Sequence, residues 1–208
     1  MAGRGVLLAI EGIDGAGKTT QAELLTKRLS QRGLDTAMLH EPTDSEWGQK
    51  IRDLAHNGRT AAPRVELEYF INDRMWDVTN RIEPALKRGA IIVMDRYYLS
   101  NVAYQGALKI SVSEIFDLNS FAPAPDLILV LDISPTIGLR RVKKRENGRP
   151  NHFEDPNYLK EVRAIFKSLE NLFPNVSIVD ASRSIGEVHD NIWNMVADFL
   201  RPRLEGLL

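Results

Sequence analysis

The stretch VLLAIEGIDGAGKTTQ, residues Val6 to Gln21, runs from an apolar segment through a glycine-rich loop into a segment of helix-forming residues. Gly12, Gly17, Lys18 and Thr19 satisfy the spacing G-x-x-x-x-G-K-[ST], with a strand expected before and a helix after. Glycines let successive backbone N–H groups curl around phosphate oxygens, and the helix N-terminus adds positive potential. Gly12, Ile13, Asp14, Gly15, Ala16 and Gly17, continuing into Lys18, Thr19 and Thr20, therefore read as a cradle for a nucleoside triphosphate. Lys18 supplies a mobile charge and Thr19 a hydroxyl able to ligate Mg²⁺. A glycine turn that merely joins strand to helix is the bland alternative; the complete spacing and both flanks weigh against it. The loop alone does not say what receives the phosphate.

Outward from the loop, short β-like runs alternate with helical stretches. VLLAIE precedes a helix over Thr19 to Gln31, and DTAMLHE precedes one over Trp47 to His56. AIIVMD leads to a segment after Arg96, DLILVLDI to a basic helix, and VSIVDA to a helix over Ile185 to Leu200. Five strands separated by helices predict an α/β fold, a parallel sheet covered on both faces, with strands that read as fully buried. Glu11, Glu41 and Asp95 fall at the C-terminal ends of strands, where open α/β sheets bind ligands.

At 208 residues and 43% hydrophobic composition, the chain is expected to form a single domain spanning 1–208. A formal net charge of -1 gives no general attraction to nucleic acid or an anionic membrane. The absence of cysteine excludes disulfides and thiolate chemistry. The opening MAGRGVLLAIEG has too short an apolar run for a signal peptide, and no segment approaches the roughly 20 apolar residues of a membrane helix. A cytoplasmic protein that engages neither membrane nor nucleic acid is the expectation. The stretch KKRENGRPNHFED, Lys143 to Asp155, is the least core-like, with charges, Gly148 and Pro150 suggesting an exposed, mobile connection.

A second informative block is MDRYYLSNVAYQGA, Met94 to Ala107. Asp95 is placed to help Thr19 hold the metal from a neighbouring strand, and Arg96 could fork onto an anionic phosphate. With GIDGAGKTTQ, EPT at Glu41 to Thr43, YFINDR at Tyr69 to Arg74, DRYYLSNVAYQG and PDLILVLDI at Pro125 to Ile133, the chain resembles the thymidylate kinase family of nucleoside monophosphate kinases over nearly its whole length. DRY followed by S-x-x-A-Y-Q-G is the most specific element. The resemblance implies a three-layer P-loop kinase fold with a five-stranded parallel sheet and a short basic lid, about 143–155. It also implies Mg²⁺-dependent transfer of the ATP γ-phosphate to dTMP, and a homodimer.

Carried over by position, the resemblance makes Asp14 an acid near the acceptor sugar and phosphate, and groups Glu41 with the acceptor side. It makes Phe70 the aromatic that stacks on the base and Arg74, four residues later on the same helix face, an arginine at base and phosphate. Arg96 becomes the acceptor-phosphate arginine, Ser100 and Gln105 polar groups of the base pocket, and Tyr104 the aromatic under the sugar that disfavours a 2′-hydroxyl. Helix capping and packing is the alternative for the Ser100, Tyr104 and Gln105 set. No strong base is required, since phosphoryl transfer rests on alignment and charge stabilisation.

Family members supply a catalytic arginine from the phosphate loop or from the lid. Gly15 occupies the loop position here, so the lid is expected to provide it, with Arg149 first and Arg145 next among Arg140, Arg141, Lys143, Lys144, Arg145 and Arg149. Two positions often arginine in relatives are His40 and His152, and histidine makes no two-pronged guanidinium contact. Arg74 and Arg96 are then expected to hold the acceptor phosphate. The competing readings are a kinase for another deoxynucleoside monophosphate such as dUMP or dCMP, a regulatory or motor NTPase, and a nucleotide-binding protein without catalysis. The absence of N-K-x-D argues against a guanine-reading switch, and intact Asp14, Lys18, Thr19 and Asp95 argue against lost catalysis.

Overall fold

The apolar runs become five parallel strands in the order β2-β3-β1-β4-β5. The computed structural model describes residues 4–57, 60–145 and 155–203. In chain order the elements begin with β1 (Val6–Glu11), α1 (Lys18–Ser30), β2 (Thr36–His40), α2 (Glu46–Asn57), α3 (Pro63–Asp77) and α4 (Glu83–Lys87). They continue with β3 (Ile91–Asp95), α5 (Tyr98–Ala107), α6 (Val112–Leu118), β4 (Leu127–Asp132), α7 (Pro135–Arg145), α8 (Pro156–Ser168), β5 (Val176–Asp180) and α9 (Ile185–Leu200).

Strand β1 lies in the middle, paired with β3 on one side and β4 on the other. Parallel connections are right-handed, so moving from β1 out to β2 places α1 on one face, whereas the opposite movements toward β5 place α4, α5 and α8 on the other. Accordingly α1 packs with α9, and α5 packs with α8. The expected three-layer α/β arrangement is present. Leu7, Leu8 and Ile10 of β1 and Ile92, Val93 and Met94 of β3 have no accessible surface. Burial of each such side chain stabilises the fold by about 1.5–3 kcal/mol against an exposed reference.

β3 is fully buried, and β1 and β4 are buried except for one half-buried end residue each. The expectation fails at β2, whose residues are half-buried or exposed, and at β5, where only Val176 and Val179 are buried. The reason is position: these are the two edges of the sheet, β2 with β3 and β5 with β4 as its only strand neighbour. A second difference lies between α3 and α4, where Val78–Ile82 forms a π-helical turn. Thr79 Oγ1 and Asn80 Nδ2 donate to the carbonyls of Met75 and Trp76 at 2.9 and 2.7 Å, side chains supplementing the widened backbone ladder. At the other end of the chain, α9 starts with a capping box between Ser184 and Glu187.

Candidate active site

The register across the central strands sets the first part of the site. Ile10 pairs with Asp95, so the end of β3 stands beside the point where β1 passes into the phosphate loop. The loop turns through Gly12, Gly15 and Gly17, all at positive φ, and delivers Lys18 to the start of α1. Lys18 is buried, and its Nζ donates to the Ile13 carbonyl at 2.9 Å. Burial, reinforced by the positive charge of Arg96, lowers its pKa to about 8 against the opposing pull of Asp14, Asp95 and Glu11.

Thr19 Oγ1 donates to Asp95 Oδ2 at 2.5 Å, which leaves the hydroxyl lone pairs available. The other carboxylate oxygen, Asp95 Oδ1, is buried with no hydrogen-bond partner among the described residues. One hydroxyl and one carboxylate with an orphaned oxygen suit Mg²⁺, which keeps water and takes further ligands from substrate phosphates. The described residues contain no group of three or more His, Cys, Asp or Glu able to hold a metal, so a dedicated all-protein cage is not built among them.

Arg96 follows β3 at φ 68, a left-handed conformation that costs a residue with a side chain about 1–3 kcal/mol. That conformation turns the guanidinium over the phosphate loop. Nη2 pairs with Asp14 Oδ1, Nη1 donates to Ser100 Oγ at 3.3 Å and reaches the Gly12 carbonyl at 3.5 Å, and the guanidinium carbon lies 5.4 Å from the Tyr104 ring centroid. Tyr104 Oη donates to Asp14 Oδ2 at 3.3 Å. Asp14, Arg96 and Tyr104 thus link the loop, the end of β3 and α5 in one polar cluster.

Glu11 has a different place from the one its strand-end position suggested. It is wholly buried; Oε1 accepts from the Tyr97 and Ser100 amides at 2.9 and 3.1 Å, and Oε2 from Ser100 Oγ at 2.6 Å. It accepts from the Tyr97 amide, which no helical carbonyl reaches, and shares the Ser100 amide with the Tyr97 carbonyl at 3.0 Å. Burial pushes its carboxyl above the ordinary range. Ser100 spans Glu11 and Arg96.

Arg74, from α3, is enclosed. Its side chain is 1% exposed, with Nε donating to Glu41 Oε1 at 3.2 Å, Nη2 to Glu41 Oε2, and Nη1 to the side-chain oxygens of Asn101, at 2.5 Å, and Asn119. These contacts turn it away from sharing the phosphate loop with Arg96. Glu41 is itself buried just past the exposed end of β2; burial pushes its carboxyl up to about 8, with Arg74 pulling it back. Gln105 is equally internal: Nε2 donates to Glu66 Oε1 at 2.7 Å and Oε1 accepts from Asn101 at 3.0 Å. Phe70 is half-buried on α3.

A cleft of about 640 Å³ runs over this region. It is lined by Asp14 through Gln21, Asp95 and Arg96, with His40 and Glu41 at β2 and Arg141 and Arg183 on the far side. Phe70, Arg74, Ser100, Tyr104 and Gln105 are outside its lining. Arg141, expected among the lid cations, lies on α7, donating to the carbonyls of Gly15 at 3.3 Å and Ala181 at 3.1 Å. Arg145 ends α7, while Arg149 and His152 lie outside the described residues. Asn101 and Asn119 were missed by the sequence reading. Asn101 adjoins Ser100 within an already informative motif, but Asn119 meets Arg74 across 45 positions and carries no local signal.

A parallel sheet whose central strand opens into a phosphate loop, a hydroxyl and carboxylate poised for a cation, and an arginine braced over that loop define a P-loop phosphotransferase of the nucleoside monophosphate kinase class. The thymidylate kinase family model matches residues 10–192. A thymidylate kinase of Xanthomonas oryzae pv. oryzae (strain PXO99A) is 45% identical over 202 residues, covering 97% of this chain and 87% of the relative. Another, of Xylella fastidiosa (strain M12), is 42% identical over 203 residues, covering 98% and 92%. The chain belongs to the thymidylate kinase family.

Proposed function

We propose that the protein transfers the γ-phosphate of ATP to dTMP, giving dTDP and ADP, with Mg²⁺ at Thr19 and Asp95. The observation that carries this reading is Arg96 braced between Asp14 and Ser100 directly over the phosphate loop. There it can receive an acceptor phosphate in line with a triphosphate held by Gly12 to Thr20 and Lys18. Mg²⁺ would neutralise charge on the phosphate oxygens. Asp14 orients Arg96 and Tyr104, and Tyr104 walls the deoxyribose. Phe70 stacks on thymine, and Arg74 serves the base side, where its buried fork is supported by Glu41. A lid over about 143–155 contributes Arg149 or Arg145 within a single kinase domain over 1–208. The protein works in the cytoplasm as a homodimer.

The test is ADP production from ATP and Mg²⁺ without acceptor and then with dTMP, dUMP, dCMP, dGMP, dAMP or UMP. Strong stimulation by dTMP, weaker by dUMP and little by UMP is expected. A preference for dCMP or dUMP would leave the phosphate loop assigned and overturn the acceptor, since one methyl is worth only about 1–3 kcal/mol. Turnover indifferent to every acceptor would favour a regulatory NTPase.

The lowered pKa of Lys18 adds a second expectation. In the free protein Lys18 loses its proton near pH 8, and triphosphate charge pulls that pKa upward on binding. ATP binding therefore takes up a proton above pH 8, and affinity falls as pH rises through that value. Calorimetry at pH 8.5 in buffers of different ionisation enthalpy will show a buffer-dependent heat; identical heats would remove Lys18 from this role.

A further inference from the structure

An edge strand turns every second residue's N–H and C=O away from its one neighbour. At the two ends of β2 the bonds to β3 fall on the same alternation: the Asp35 carbonyl accepts from the Ile91 amide at 2.8 Å, and the Glu41 amide donates to the Asp95 carbonyl at 3.1 Å. His40, one residue out of step, therefore presents its carbonyl to the open edge, where no strand holds it. There Arg81 Nη2 donates to the His40 carbonyl at 3.0 Å, across 41 positions of sequence.

Arg81 is itself fixed. It stands in the π-helical turn Val78–Ile82, its Nε donates to Oδ1 of the buried Asp77, and its guanidinium carbon lies 5.6 Å from the centroid of the Trp76 ring. The fork is planar and stiff and engages Asp77 and His40 through different nitrogens, so Asp77 sets the direction of the nitrogen that reaches β2.

The side chain of the residue held in this way faces the cleft. Met38 and His40, two apart on β2 and so on one face, both line it. His40 is in register with Asp95, and the residue after Asp95 is Arg96. The His40 ring bonds the Pro42 carbonyl through Nδ1 at 3.0 Å, which makes Nδ1 the donor and leaves Nε2 without a partner among the described residues.

We infer that Arg81 is a positioning residue for the acceptor. By holding the His40 carbonyl on the open edge of β2, it fixes the stretch of cleft wall that His40 presents beside Arg96. Arg81 acts through His40, and the inference rests on the acceptor assignment proposed above.

The test measures KM for dTMP and for ATP in the wild type, Arg81→Lys, His40→Ala and the double variant. Lysine keeps a charge beside Asp77 but has a single nitrogen where arginine uses two, so it releases His40 without leaving Asp77 unpaired in the interior. Arg81→Lys should raise KM for dTMP about fivefold or more, with KM for ATP and the melting temperature unchanged. In the His40→Ala background the same substitution should add nothing to KM for dTMP, because the side chain it positions is gone. Arg81→Met, which reaches no carbonyl, gives the same KM comparison if the lysine keeps the contact, with a lower melting temperature from the unpaired Asp77. An unchanged KM for dTMP in both Arg81 variants, equal rises in the two KM values, or the same rise with and without His40 would overturn the role of Arg81 and leave the acceptor assignment standing. Wild-type turnover indifferent to dTMP would overturn both.

Discussion

Replacing Arg96 with alanine is expected to lower kcat/KM for dTMP by about 10³-fold, a loss of about 4 kcal/mol of transition-state stabilisation. Two effects combine. The guanidinium proposed to face the acceptor phosphate disappears, and the Asp14 carboxylate loses the partner that ties the phosphate loop to the end of β3. Lysine at this position should recover only part of the activity, because a point charge cannot engage Asp14, Ser100 and a phosphate at once. Steady-state kinetics with varied dTMP and varied ATP will separate the two substrates: KM for ATP should change little. Unchanged turnover together with unchanged acceptor affinity would remove Arg96 from the mechanism.

Gly15→Ala is the second large effect. Gly15 lies at φ 78, and a Cβ built there would sit 2.2 Å from the Gly138 carbonyl oxygen on α7, backbone that cannot rotate aside. The converse contact is as close, since a Cβ on Gly138 would lie 2.5 Å from the Asp14 carbonyl oxygen. The phosphate loop and α7 thus meet backbone to backbone through two glycines, with Arg141 fastened across the junction. Torsional strain alone costs about 1–2 kcal/mol, a fall of about 2–8 °C in melting temperature for a chain of this size. The collision adds displacement of the loop, and activity should fall by about 10²-fold. Gly17 supplies the control: at φ 96 it has open space around it, so Gly17→Ala carries the torsional part alone. Equal melting losses in the two variants would show that the contact with Gly138 is slack. The same geometry accounts for the absence of a loop arginine, since no side chain fits at residue 15 without moving α7.

Much of the frame was legible because its signals are local. Continuous apolar runs ended where the strands end, and the loop spacing carried its own mechanism in Gly12, Gly17, Lys18 and Thr19. The pairing of Thr19 with Asp95 also followed, because a strand-end carboxylate beside a phosphate loop has few other uses. Contacts between distant segments were not legible. Glu11 read as a ligand-facing acid, yet it caps α5, because its neighbour in space is an amide 86 positions away. The resemblance made Arg74 an arginine at base and phosphate, and only the approach of Glu41, Asn101 and Asn119 from three other segments shows it enclosed. The exposure of β2 depended on strand order, which hydrophobic pattern does not encode.

The position of β2 bears on how such an enzyme can change over generations. The triphosphate half of the site hangs from β1 and β3, strands buried on every side, where altering one residue disturbs the whole core. His40 and the approach to Glu41 hang instead from an edge strand with one neighbour and half-buried residues. Variation there is tolerated by the scaffold, so on the proposed assignment acceptor preference can drift along β2 while the residues proposed to handle ATP stay as they are.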